Sequence, residues 1–215
     1  KELLETLGED TSKVISSLVK LSKKSYTVRK FKQISAMRLM AGIGDEKDVK
    51  LILENGAEGL STFMSYDILD SIAERGYGAE ALGMMKEYYG KMLELGATTF
   101  WERYDPAEKG AEKYAMYGRK YGKSLCHAWG ATPLYIIGRY IVGLKASENG
   151  KSFTLKPDLA GLKRFKAEMP LAKGSVKVEA DEKTIRVISD EIKGTLIVNG
   201  KNYAVEPKKE IEVAI

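Results

Sequence analysis

The chain has 215 residues, of which 44% are hydrophobic and 30% charged; this composition is that of an ordinary globular protein and excludes a disordered or low-complexity chain. The net charge of +5 divides into +2 over residues 1–144 and +3 over residues 145–215, where 14 basic and 11 acidic residues intermix, so no basic stripe emerges to follow nucleic-acid phosphates. The single cysteine, Cys126, excludes an internal disulfide framework and a Cys-based zinc site, and the longest apolar run, Pro133–Leu144, is interrupted by Gly138 and Arg139 and is too short to cross a bilayer.

The sequence opens at Lys1 without a methionine and without a signal-peptide pattern. It reads as a cut start, so compartment is left open. Helical spacing begins with Val14, Ile15, Leu18, Val19 and Leu21, which recur at three- and four-residue intervals over Thr11–Leu21, with Asp10 or Thr11 as N-cap. A second helix is predicted over Val28–Met40. The Gly42-Ile43-Gly44-Asp45 stretch ends it and caps a short helix over Lys47–Glu54. Ser61–Glu74 carries Phe63, Met64, Ile68, Leu69 and Ile72 and stops at Gly76; Ala79–Leu95 and Pro133–Val142 complete the series. Helix after helix with short connections predicts an all-α array rather than βαβ units.

After Gly143 the period changes to two. Val176, Val178 and Ala180 alternate with polar residues, as do Ile185 and Val187 and then Ile211, Val213 and Ile215, while Thr195–Val198 is a short apolar run. Asn199-Gly200 between Leu196–Val198 and Tyr203–Val205 is a strong hairpin signal, because both residues accept the positive φ of a type I′ turn. Several short strands in about 70 residues predict a small antiparallel sandwich. The boundary is expected in the loop-like Lys-Ala-Ser-Glu-Asn-Gly of 145–150, giving a helical domain at 1–144 and a sandwich domain at 145–215.

Chemistry-bearing residues gather between Gly96 and Gly130: both tryptophans, the one histidine, the one cysteine, and Glu102 directly after Trp101. A carboxylate, an imidazole and two indoles in turn-like sequence suit a small polar ligand site. Glu102 lies between Trp101, whose indole raises a neighbouring carboxyl pKa by desolvation, and Arg103, whose guanidinium lowers it. It reads either as a general acid or base or as a structural carboxylate paired with Arg103. His127 has the small neighbours Cys126, Ala128 and Gly130, which permit close approach of a backbone or a sugar ring. Trp101 and Trp129 either offer flat faces to a sugar or pack in the core. Neighbours in sequence rarely align as nucleophile and base, which argues against a Cys126–His127 thiol centre. One histidine with scattered carboxylates has no metal-ligand spacing, so no metal and no cofactor are expected. Tyr114, Tyr117 and Tyr121 interleave with Lys113, Arg119, Lys120 and Lys123, but Glu108 and Glu112 dilute the charge that a single-stranded nucleic-acid platform needs.

The run Met92-Leu93-Glu94-Leu95-Gly96-Ala97-Thr98-Thr99-Phe100-Trp101-Glu102, followed by Ser124-Leu125-Cys126-His127-Ala128-Trp129-Gly130 and Pro133-Leu134-Tyr135, resembles the C-terminal part of glycoside hydrolase family 78, the α-L-rhamnosidases. Ser61-Thr62-Phe63-Met64, Tyr88-Tyr89-Gly90, Gly138-Arg139-Tyr140 and Lys173-Gly174-Ser175-Val176 extend the likeness over most of the chain. The resemblance implies an (α/α)6 barrel followed by a small β-sandwich, and inverting removal of terminal α-L-rhamnosyl residues from glycans or glycosides. It implies Glu102 as the general base that activates water, His127 as a substrate contact, and Trp101 and Trp129 as pocket walls. The family's general acid lies in an Asp/Glu-rich motif with no equivalent in this sequence. The expectation is therefore an α+β chain holding half a barrel and the sandwich, inactive by itself, whose exposed barrel helices favour self-association. A non-catalytic carbohydrate-binding module, or a helical interaction module with a sandwich appended, is the alternative.

Overall fold

The computed structural model describes residues 5–23 and 31–215, so the first residues of the expected Val28–Met40 helix lie outside the described residues. Helices come first: α1 (Ser12–Lys23), α2 (Lys32–Met40), α3 (Glu46–Leu53), α4 (Ser65–Ala73), α5 (Gly78–Glu94) and α6 (Thr132–Ile136), the last continuing into a π turn over Ile137–Ile141. At the start of α1, Asp10 accepts from the backbone N–H and the hydroxyl of Ser12, both at 2.9 Å. Val14 and Leu18 are half-buried and Ile15 and Val19 are exposed, so these four apolar residues of the helix are buried at most in part.

The short helices are held by polar anchors rather than by propensity, as expected for segments below about 12 residues. Asp45 caps α3 by accepting from the N–H of Lys47 at 2.9 Å and of Asp48 at 3.3 Å, and Asp48 returns a bond from the N–H of Asp45 at 3.0 Å. That reciprocal box places Asp48 in the core, fully buried, where Ser35 donates to it at 2.9 Å and Arg38 pairs with it at 3.1 Å. The Lys32 ammonium donates to the carbonyls of Ile52, Glu54 and Gly56 at 2.5, 2.5 and 2.9 Å and so closes the C-terminal end of α3. Its burial holds its pKa below the ordinary lysine value. Arg75 does the same for α2, donating to the Leu39 carbonyl at 2.8 Å.

Around these anchors Ile52, Ile68, Leu69, Ile72 and Ile136 are fully buried and form the helical core with Trp101, Tyr104 and the inner face of α5. Ser65 ties three helices together: its hydroxyl lies 2.7 Å from that of Tyr89 on α5 and donates to Thr132 at the start of α6 at 2.9 Å.

The helical part ends at Gly143, whose φ of 75° lies in the left-handed region and where an added Cβ would sit 2.0 Å from the Lys156 carbonyl oxygen. Only glycine permits that crossing. Strands follow: β1 (Leu144–Ala146), β2 (Phe153–Leu155), β3 (Arg164–Pro170), β4 (Ser175–Asp181), β5 (Thr184–Ser189), β6 (Gly194–Val198), β7 (Lys201–Val205) and β8 (Ile211–Ala214). They form two four-stranded sheets, ordered β1-β2-β6-β7 and β3-β4-β5-β8. Val176, Val178, Ile185 and Val187 of one sheet and Leu155, Leu196 and Val205 of the other share one core. The Asn199-Gly200 turn has φ of 49° and 74°, as the hairpin between β6 and β7 requires.

Two expectations need correction. The sheets are not wholly antiparallel, because β2 runs parallel to β6, with Phe153 opposite Gly194 and its ring lying over that glycine. Lys145 and Ala146, expected as the start of the 145–150 loop, belong to strand β1, and the turn begins at Ser147. Strand β3 is a further strand beyond those expected: Phe165, Ala167 and Met169 alternate with charged residues in the same period of two, and the strand lies at a sheet edge and ends at Pro170.

Asp48→Ala is expected to cost about 3 kcal/mol by urea unfolding, because it leaves the Arg38 guanidinium without its buried partner, whereas Ser35→Ala costs about 1 kcal/mol. Gly143→Ala is expected to cost at least about 2 kcal/mol, combining a strained φ with the clash against Lys156; a midpoint within error of the parent would show that the 141–144 crossing relaxes freely.

Candidate functional site

The site begins where α5 stops. Gly96, with φ of 84°, closes the helix in a Schellman arrangement: its N–H bonds the Leu93 carbonyl at 2.9 Å and the Ala97 N–H bonds that of Met92 at 3.0 Å. The chain then runs beside the second motif. The His127 N–H bonds the Phe100 carbonyl at 2.8 Å, and the Glu102 N–H bonds that of Ser124 at 2.9 Å. Gly130 permits this closeness, since a Cβ there would lie 2.7 Å from the Trp101 carbonyl oxygen.

The Glu102 main chain is fixed on its other side as well. Its carbonyl accepts from the Thr62 hydroxyl at 2.5 Å and from the Trp129 indole N–H at 2.7 Å. Its side chain receives two further donors: the Tyr117 hydroxyl bonds Oε1, and the Ser124 N–H bonds Oε2 at 3.1 Å. Glu102 is 5% exposed, and among the described residues it is one of few buried carboxylates. The Tyr117 and Ser124 donors, in that order, hold its pKa below the ordinary glutamate value; burial opposes them, and His127 and Lys123 add smaller lowering contributions. The fold therefore gains from this group above the ordinary glutamate pKa and loses that contribution as pH falls through the depressed value.

The structural partner expected for Glu102, Arg103, is engaged elsewhere. Its guanidinium is exposed and pairs with Asp105 and Glu108, both at 3.4 Å. The two tryptophans also separate. Trp101 is 3% exposed, packed edge-on to Tyr104 and tilted against Tyr114, so it supports the site from the core and offers no open face. Trp129 is 40% exposed, with His127 tilted over it at 4.0 Å between ring centres and Phe63 edge-on at 5.2 Å. His127 is half-buried and Cys126 exposed. A cleft of about 560 Å3, walled by Phe63, Glu102, Tyr104, Pro106, Met116 and Trp129, opens on the Trp129 side of these groups, and His127 is not part of its lining. Among the described residues no group of three or more His, Cys, Asp or Glu side chains has the geometry to hold a metal ion.

The sequence therefore brings Glu102, His127 and Trp129 together and leaves Trp101 beneath them. Tyr117, Ser124 and Thr62 join the site without having been singled out for it. In sequence Tyr117 is one of several tyrosine hydroxyls near the central stretch, with Tyr104, Tyr114 and Tyr121, and nothing there distinguishes it from them. Chemically, the arrangement is a buried, ionised carboxylate beside an imidazole and an indole at the wall of a partly apolar cleft, suited to binding a polar hydroxylated ligand and accepting a proton from it or from water.

No protein-family model matches the chain, and no curated protein matches it. Solved structures do. A GH78 family rhamnosidase of Bacillus sp. GL1 is similar over 77% of this chain with 24% identity and a TM-score of 0.59, and this chain covers 19% of that one. An α-L-rhamnosidase from Dictyoglumus thermophilum is similar over 87% of this chain with 18% identity and the same TM-score of 0.59, and this chain covers 24% of it. The chain thus spans about a fifth of the length of these proteins, and its α+β fold is that of the matching portion of GH78 α-L-rhamnosidases.

Proposed function

We propose that this chain is the base-bearing portion of an inverting glycoside hydrolase that removes terminal α-L-rhamnosyl residues from rhamnose-containing oligosaccharides or glycosides. In this reading residues 1–144 belong to an (α/α)6 barrel and residues 145–215 form its terminal sandwich. Glu102 is the general base, His127 contacts the sugar, and Trp129 supplies the stacking face. Trp101 acts from beneath, through packing. The observation that carries the reading is the Glu102 carboxylate itself, buried, ionised, fixed through both its main chain and its side chain, and adjoining His127, Trp129 and the cleft. The substrate class is proposed by analogy with the rhamnosidases that share the fold.

Inverting hydrolysis uses a second carboxyl group roughly 6.5–9.5 Å from the base, so that a water fits beneath the ring while the acid protonates the departing oxygen. The acidic residues that follow Glu102 are committed to other partners: Asp105 to Arg103, and Glu108 to Arg103 and Lys123. In this reading the acid comes from polypeptide outside this chain, as the resemblance to family 78 implies. Ile34, Met37 and Met40 on α2 are exposed apolar residues that such polypeptide, or a second copy of this chain, would cover.

This chain alone is expected not to turn over an aryl α-L-rhamnoside, because a base without its acid leaves the aglycone oxygen unprotonated; a rate abolished by Glu102→Ala would refute that. In a polypeptide that joins this chain to the acid-bearing part, Glu102→Gln is expected to lower kcat by roughly 10²–10⁴-fold while rhamnose binding persists, and the parent should release β-L-rhamnose first by proton NMR. An unchanged rate in Glu102→Gln would leave the chain as a non-catalytic sugar-binding module.

A further inference from the structure

Tyr117 is 70% exposed, yet its hydroxyl ends on Glu102, which is 5% exposed. The backbone that delivers it is unusual. Tyr117 and Gly118 have φ of 54° and 72° and form a two-residue turn, closed by bonds between the N–H of Met116 and the carbonyl of Arg119 at 3.0 Å and between the N–H of Arg119 and the carbonyl of Met116 at 2.9 Å. Glycine accepts that conformation without cost; an aromatic residue does not, and such outliers persist where the surroundings over-determine them.

The surroundings do so here. Under the turn, a Cβ on Gly122 would lie 2.2 Å from the Met116 carbonyl oxygen, so the chain doubles back this closely only as glycine. At the base of the arm the Lys123 N–H bonds the Tyr114 carbonyl at 3.1 Å, and the Lys123 ammonium, fully buried, bonds Glu108 at 2.9 Å. The segment 114–123 is therefore a closed, anchored arm whose tip holds a phenol against Glu102. Neighbouring Tyr121, equally exposed, lies against Lys120 and takes no part in this contact.

We propose that Tyr117 is a positioning residue for Glu102, its hydroxyl on Oε1 opposing the Ser124 N–H on Oε2 so that the carboxylate is fixed in one orientation with one lone pair on each oxygen left for an incoming water or sugar hydroxyl. The proposal rests on the reading of Glu102 as the base and extends it to a residue outside the two central motifs. The groups acting on the carboxylate are Tyr117, the Ser124 N–H, His127 and Lys123. Removing the phenol hydroxyl takes away a donor that favours the ionised form, so the Glu102 titration moves to higher pH.

The test uses this chain as wild type, Tyr117→Phe and, as a control, Tyr121→Phe. Glu102 is titrated by carbon-13 NMR, its signal assigned by its loss in Glu102→Gln. The Glu102 midpoint is expected to lie below the ordinary glutamate range in wild type and Tyr121→Phe and to shift upward in Tyr117→Phe. A midpoint unmoved by Tyr117→Phe, or moved equally by Tyr121→Phe, overturns the proposal. In parallel, L-rhamnose binding is followed by tryptophan fluorescence across the same pH range. Loss of binding at low pH is expected to set in at higher pH in Tyr117→Phe than in wild type. A shifted midpoint with no rhamnose binding in any variant supports the positioning role and sinks the sugar reading. Rhamnose binding with one pH profile in all three proteins, beside an unmoved midpoint, sinks the positioning role alone.

Discussion

The carbonyl oxygen of Glu102 accepts two hydrogen bonds, from the Thr62 hydroxyl ahead of α4 and from the Trp129 indole ahead of α6, while the N–H of the same residue bonds Ser124. The two peptide groups that flank this one residue thus join three segments that are far apart in sequence. Each such bond is worth only about 1 kcal/mol net, but leaving the buried carbonyl unmet costs the full desolvation of the group. The arrangement is therefore kept whole or lost whole. The residue carrying the carboxylate is held by its backbone independently of its side-chain contacts.

That placement explains why the polar network lies where it does. The Ser65–Tyr89–Thr132 hydroxyls join α4, α5 and α6 just beneath it, and Tyr88 donates to the Tyr104 carbonyl at 2.7 Å. Burial raises the Tyr88 pKa, so it serves as a neutral donor throughout the physiological range. Apolar packing brings the helices together, and these directional bonds choose one register among several that the packing alone would accept.

Much of this was legible in the sequence where the signal is local. Apolar spacing marked α4 and α5, Gly96 marked the helix end, and Asn199-Gly200 marked a turn whose geometry only a few dipeptides satisfy. What was not legible depends on pairing at a distance. Trp101 and Trp129 are identical side chains with opposite fates, because the pairing of residues 100–102 with 124–127 turns one inward and leaves the other at the surface. The parallel contact of β2 with β6 joins residues about 40 apart in sequence and leaves no periodic trace. Arg103 adjoins Glu102 in sequence, yet its guanidinium reaches Asp105 and Glu108 instead. In sequence Tyr117 is one tyrosine among several, and only its positive-φ turn aims it at Glu102.

The same contacts set a chemical compromise at Glu102. Donors that hold a carboxylate ionised also draw charge from its oxygens, so they widen the pH range over which it is available and weaken it as a base. A glutamate freed of Tyr117 and Ser124 would take a proton more avidly but would be protonated sooner as pH falls. It would also rotate about its terminal torsion, which is broad and nearly two-fold in the absence of partners. Orientation is worth more than basicity when the proton comes from water positioned by the same carboxylate, because misplacement by about 1 Å costs on the order of 10²-fold in rate. If Glu102 is the base, as proposed, its fixing by two donors is the outcome that this balance favours.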